Sequence, residues 1–155
     1  MAEIAAWAKD KGMNMSEMLK DMYLKYGFSR EKGISLVRKG KSGAEEIIEI
    51  MKQFRANPPK QIAGSEVVTI KDFLSLEEKD VKTGKVTKIE MPATSNVLQF
   101  YTADGTKVSV RPSGTEPKIK FYLEVHDTLK DADDYEPAQK RADEKIAQIS
   151  KELGI

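Results

Sequence analysis

The run Arg111-Pro112-Ser113-Gly114-Thr115-Glu116-Pro117-Lys118 gathers the side chains of this sequence best suited to holding an anion. Arg111 offers a planar fork of donors matched to a phosphate, Ser113 and Thr115 offer hydroxyls, and Lys118 adds a compact positive charge. Gly114 lets backbone amides approach a ligand with no side chain in the way. Pro112 and Pro117 restrain the ends of the run and lower the entropy lost when it orders around a ligand. Such groups recognise a phosphate; they do not break a bond. The same composition also suits a plain turn between two strands, and spacing alone leaves both readings open.

Other clusters carry less. Lys39-Gly40-Lys41-Ser42-Gly43 suggests a nucleotide loop, but position 35, where that motif needs glycine, is Ser35, and Gly33 is out of register. Ser42 with Glu45 instead predicts a capping box opening a helix with Ala44, Ile47, Ile48, Met51 and Phe54 on one face. Asn57, Pro58 and Pro59 end it. A helix N-terminus attracts anions, which gives Lys41 a weak contact at most. Asp131, Asp133 and Asp134 read as an acidic, solvated turn, and the single histidine, His126, reads as structural at a strand end.

The elements that must position the loop follow from periodicity. Ile119, Phe121, Leu123 and Val125 alternate with Lys120, Tyr122 and Glu124, the pattern of a strand with one buried face. Asn96 to Tyr101 and Lys107 to Val110 flank a turn through Ala103, Asp104 and Gly105, predicting a hairpin. Val67 to Ile70 predicts a further strand, and Ile34, Leu36 and Val37 a short one. The charged stretch from Leu76 to Glu90, with a turn near Thr83-Gly84, reads as a surface excursion. Ala138, Ala142, Ile146, Ile149 and Leu153 lie on one side of a last helix. The sum is an α+β fold: an antiparallel sheet of about four strands with helices on one face.

Ahead of it, Ile4, Ala5, Trp7 and Ala8 form a short helix that stops at Gly12 and begins abruptly, as if cut part-way. A second helix, capped by Asn14 and Glu17 and stopped at Gly27, aligns Met15, Met18, Leu19, Met22, Tyr23 and Tyr26. A methionine stripe at this spacing reads as core, and here it needs a neighbouring domain to cover it.

At 155 residues the chain suits one domain, or a small domain plus a piece of its neighbour. A hydrophobic share of 39%, a charged share of 33% and a net charge of +1 describe a balanced globular protein with no broad field for a polyanion. The reading therefore has no nucleic-acid partner and, lacking a long apolar run, no membrane. Without cysteine, the chain fits a reducing compartment, and a cytoplasmic location is expected.

RPSGTEPKIKFY resembles the signature loop and following strand in the C-terminal domain of the phosphoglucomutase/phosphomannomutase (phosphohexomutase) family. LKYGF, KGKSGAEEI, NPP and GSEV are similar to its phosphoglucomutase branch, in their usual order, so the resemblance spans almost the whole chain. It implies a TATA-box-binding-protein-like C-terminal domain at 29–155, preceded at 1–28 by the helical tail of the third domain. It implies that Arg111, Ser113, Gly114 and Thr115 grip the phosphate of a hexose phosphate with Lys118 in support, and that Glu116 holds the loop. The parent enzyme would interconvert hexose 1-phosphate and 6-phosphate through glucose 1,6-bisphosphate, using a phosphoserine, a Mg²⁺ loop and a sugar-reading loop in its preceding domains. None of those three is recognisable here, so this chain alone is expected to be inactive, with no catalytic residue and no metal ligand of its own. A protein-interaction module, or less readily a nucleic-acid-binding domain using Tyr101, Tyr122 and Lys120, is the alternative.

Overall fold

The computed structural model describes residues 1–38 and 40–155, with Lys41 described by its backbone alone. In chain order the helices are α1 (Ala2–Asp10), α2 (Met15–Tyr26), α3 (Gly40–Ala56) and α4 (Tyr135–Leu153). The strands are β1 (Phe28–Val37), β2 (Gln61–Ile62), β3 (Ser65–Asp72), β4 (Glu77–Asp80), β5 (Val86–Lys88), β6 (Leu98–Thr102), β7 (Lys107–Pro112) and β8 (Lys118–Asp127). The main path of the sheet runs β1-β8-β7-β6-β3-β4-β5, with β2 attached to β3, and every pairing is antiparallel.

β8 is the spine of the sheet because its period-two pattern buries Ile119, Phe121, Leu123 and Val125 on one face. These side chains meet Phe100, Val108 and Val110 from the neighbouring strands and the apolar stripes of α3 and α4. Phe54 of α3 lies against both Phe100 and Phe121, with ring centroids 5.9 and 6.0 Å apart. The α4 stripe is the predicted one: Ala138, Ala142, Ile146 and Ile149 are buried and Leu153 packs at its end. The α+β architecture with helices on one sheet face therefore follows from the alternation in β8 and the helical periods around it.

The sheet is larger than the four strands expected. β1 runs for ten residues rather than three or four, because charged side chains on its helix-facing side find partners. Phe28, Ile34 and Leu36 pack inward, while Arg30 donates to both carboxylate oxygens of Asp143 on α4, at 2.9 and 3.1 Å. The stretch from Leu76 to Glu90 also extends the sheet as β4 and β5, held by backbone pairing and a Lys71–Glu78 ion pair of 2.8 Å. Backbone hydrogen bonds need no apolar side chain, so composition could not reveal this hairpin.

Helix α3 begins at Gly40, so Ser42 lies in its first turn rather than at the cap. That turn folds back on the end of β1: a Cβ on Gly43 would lie 2.5 Å from the Arg38 carbonyl oxygen. The buried face of the helix is rotated from the expected one. Gly43, Ile47 and Met51 are buried, with Ile50 and Phe54 packed beside them, whereas Ala44 is exposed and Ile48 is 56% exposed. The proposed Lys41 contact falls outside the described residues. At the other end of α3, Arg55 grips Asp72 and Asn96 at 2.8 and 2.7 Å and ties the helix to the β3–β6 side of the sheet.

Helix α2 has the predicted capping box, with Asn14 and Glu17 exchanging bonds of 2.8 and 2.9 Å. Only part of its stripe is covered. Met18 is buried and Tyr23 stacks on Tyr135 and meets Phe28 edge-on, while Met22 and Tyr26 are exposed. Ile4 and Trp7 of α1 share that uncovered surface with Met22.

The β6–β7 turn gives a pH test. Asp104 accepts from Thr102 Oγ1 at 2.6 Å, the Thr106 amide at 3.2 Å and Lys145 Nζ of α4 at 2.5 Å. Partial burial opposes ionisation, but these donors outweigh it and hold the carboxyl well below the usual carboxylate range. A folded-state pKa below the unfolded value of about 3.9 means that the ionised group favours folding above that pH, and the contribution fades as the pH falls toward the folded pKa. The urea midpoint is expected to drop less steeply between about pH 5 and 2 in Asp104→Asn than in the unaltered chain. Parallel curves would remove Asp104 from the acid response.

Candidate anion-binding site

The loop from Pro112 to Lys118 connects β7 and β8, adjacent strands that each pair on both sides within the sheet. The Ser113 amide donates to the Lys118 carbonyl at 2.8 Å and the Lys118 amide to the Glu116 carbonyl at 2.7 Å, closing its base and its far side. From β1, the Arg38 amide donates to the Pro117 carbonyl at 2.8 Å, and Arg38 pairs with Glu46 of α3 at 3.2 Å. The loop is thereby tied to β1 and, through Arg38, to the start of α3.

Within this frame the amides of Gly114, Thr115 and Glu116 have no acceptor among the described residues. Three successive exposed amides without acceptors in the chain are free to donate to an anion. Gly114 has neither a positive φ nor any atom within 4 Å of where a Cβ would stand. Neither backbone conformation nor packing within the chain calls for glycine there, whereas close approach of a ligand would.

Arg111 is exposed on β7, and its cross-strand partner is Lys120. Like charges placed directly opposite each other disfavour the pair, and neither forms an ion pair among the described residues. They place two cations beside the loop, and the Glu116 carboxylate, close enough to Lys120 to be stabilised by its charge, offsets part of that field. The sequence reading names Lys120 only in the nucleic-acid alternative and not beside the anion loop, because its place opposite Arg111 depends on the β7–β8 register.

Lys118 has a different environment from the one expected. It forms an ion pair with Glu116, which holds the Glu116 carboxyl below its ordinary range chiefly through that bond. The structure thus brings Arg111, Ser113, Gly114, Thr115 and Lys118 to one loop and its strand roots, with Lys118 already partnered by the residue assigned to holding the loop. The other candidates lie elsewhere. Asp131 caps a short 3-10 turn over Ala132–Asp134, Asp134 pairs with Arg141 at 2.9 Å, and His126 Nε2 lies 3.1 Å from Glu124. No group of three or more His, Asp or Glu among the described residues is arranged to hold a metal ion. No helix among them is long and apolar enough to cross a membrane.

Fold and loop together define an α+β domain that exposes a cation-flanked loop between two strands of an antiparallel sheet. The sequence profile of "Phosphoglucomutase/phosphomannomutase, C-terminal domain" matches residues 55–138, more than half of the chain and including this loop, and the chain belongs to that family. Among its relatives, the phosphoglucomutase of Staphylococcus epidermidis is 34% identical over 125 residues, covering 81% of this chain and 22% of that protein. The phosphoglucomutase of Staphylococcus saprophyticus is 35% identical over 114 residues, covering 74% and 20% respectively. The chain therefore spans about a fifth of the length of these relatives. The open form of parafusin, a phosphoglucomutase from Paramecium, overlaps 98% of this chain and 26% of its own at 18% identity and a TM-score of 0.47, too loosely to build on.

Proposed function

We propose that this chain is the substrate-phosphate-binding domain of a phosphohexomutase, and that Arg111, Ser113, Gly114, Thr115 and Lys118 hold the phosphate. The observation that carries this reading is the pairing of two like charges, Arg111 and Lys120, beside three amides that have no acceptor among the described residues. A phosphate would accept hydrogen bonds from the amides and offset both cations at once. Lys118 would share its charge between Glu116 and the ligand, so Glu116 keeps the loop shaped when the site is empty.

The parent enzyme, in this reading, interconverts hexose 1-phosphate and 6-phosphate through glucose 1,6-bisphosphate. The phosphoserine and the magnesium site belong to its preceding domains, where the metal would neutralise charge on the transferring group. This chain contributes binding and positioning alone and is inactive by itself: it fixes the phosphate remote from the reacting end, which raises the effective concentration of that end at the catalytic serine. Residues 1–28 would be the tail of the third domain and 29–155 the C-terminal domain, a division supported by the start of β1 at Phe28 and by the exposed Ile4, Trp7 and Met22, which a preceding domain would cover.

Amide NMR titration of the chain with inorganic phosphate, glucose 1-phosphate and glucose 1,6-bisphosphate tests the reading. Weak binding is expected, with the largest shifts at Gly114, Thr115 and Glu116. If those amides stayed still at high ligand concentration while another surface responded, the loop assignment would be wrong.

A further inference from the structure

The anion loop contains an anion of its own. The amide of Glu116 is one of the three without an acceptor among the described residues, yet its carboxylate pairs with Lys118. We propose that Glu116 is a built-in competitor of the phosphate: it occupies Lys118 in the empty site, leaves it when phosphate binds, and so sets how tightly phosphate is held and how readily it is released. The proposal rests on the reading that this loop holds a phosphate.

The two partners of the ion pair are unequal in a way that decides which of them moves. The Lys118 side chain is 22% exposed and that of Glu116 59%. Lys118 stands at the root of β8, opposite Val37 of β1, whereas Glu116 lies in the loop between the strands. An arriving anion therefore meets a cation that stays and a carboxylate that can swing into water. The backbone permits this. The bonds from the Ser113 amide to the Lys118 carbonyl, from the Lys118 amide to the Glu116 carbonyl and from the Arg38 amide to the Pro117 carbonyl close the loop without using the Glu116 side chain.

The carboxylate also occupies the field that a phosphate would enter. Its bond to Lys118 is the main reason it stays ionised below the ordinary range, and the charge of Lys120 adds to the effect. Lys120 in turn stands opposite Arg111. A phosphate on the loop amides beside these cations would lie next to Glu116, and like charges repel. The amide of residue 116 thus favours the ligand while its side chain opposes it, and the conflict ends only when the ion pair opens. With Glu116 this exposed the pair is weak, so it tunes the affinity without closing the site. Moderate affinity suits a domain that must release its ligand at every turnover.

Glu116→Gln removes the charge and keeps the shape. Titrated with inorganic phosphate and followed by the Gly114 and Thr115 amides, this variant should bind about two- to fivefold more tightly than the unaltered chain, the range for an exposed ion pair, and release phosphate correspondingly more slowly. In a chain already carrying Lys118→Ala, the same substitution should change the affinity little, because the competition is for Lys118. The carboxyl carbon of Glu116 gives a readout that needs no variant. In the phosphate-saturated chain it should titrate at a higher pH than in the free chain, since binding takes away Lys118 and adds a negative neighbour. A residue that only shapes the loop predicts the reverse: weaker phosphate binding in Glu116→Gln and an unmoved carboxyl. Equal or weaker binding in the variant, or a gain that persists without Lys118, would overturn the inference and leave the phosphate site standing. If phosphate moves the loop amides in neither chain, the phosphate site itself fails and the competitor fails with it.

Discussion

Replacing Phe121 by alanine is expected to lower the stability of the chain by about 3–5 kcal/mol, enough to leave a marginal domain largely unfolded. Phe121 is 1% exposed at the middle of β8, the strand that pairs with both β1 and β7. Its ring meets Phe54 of α3, so truncation removes transfer free energy and opens a cavity where sheet and helix join. The backbone on both sides is hydrogen-bonded in the ladder and cannot collapse into the gap. Urea denaturation would show the loss as a lower midpoint with little change in slope. Phe121→Leu, which fills most of the volume, should cost less than half as much. A loss below about 1 kcal/mol for the alanine variant would mean that this face of the sheet is not the core of the domain.

The same residue shows what the sequence makes legible. Alternation over Ile119 to Val125 identifies β8 and its buried face, because one-sided burial forces a period of two. The stripe from Ala138 to Leu153 identifies α4 for the corresponding reason at the helical period. The loop was legible as a cluster of residue types, yet its working geometry was not. That Arg111 stands opposite Lys120, and that Lys118 is paired with Glu116, depends on hairpin register, which a linear string does not display. β1 and the β4–β5 hairpin were under-read because charged residues there satisfy backbone pairing and long-range ion pairs such as Arg30–Asp143. Ile48 shows the opposite case: an apolar residue near the right period lies outside, since the buried face runs through Gly43, Ile47, Ile50, Met51 and Phe54.

Arg111→Ala is expected to weaken binding of inorganic phosphate to the chain by about 10- to 100-fold, the range for losing a hydrogen bond to a charged group. The same change should leave stability unaltered or slightly raised. Arg111 makes no ion pair among the described residues and faces Lys120 across the ladder, so removing it relieves a repulsion of about 0.2–1 kcal/mol. A residue kept for folding would show the reverse, and this opposition separates a ligand-binding role from a structural one. Arg111→Lys should restore charge but not the two-pronged geometry, and so recover only part of the affinity. Lys120→Ala should weaken phosphate less than Arg111→Ala, since it contributes a point charge beside the loop rather than a planar fork. Raising the salt should weaken binding most in the unaltered chain and least in a double variant lacking both cations, because exposed charges are screened. Unchanged phosphate affinity in Arg111→Ala, with loop amides still responding, would leave the amides of Gly114, Thr115 and Glu116 as the principal donors and remove Arg111 from the site.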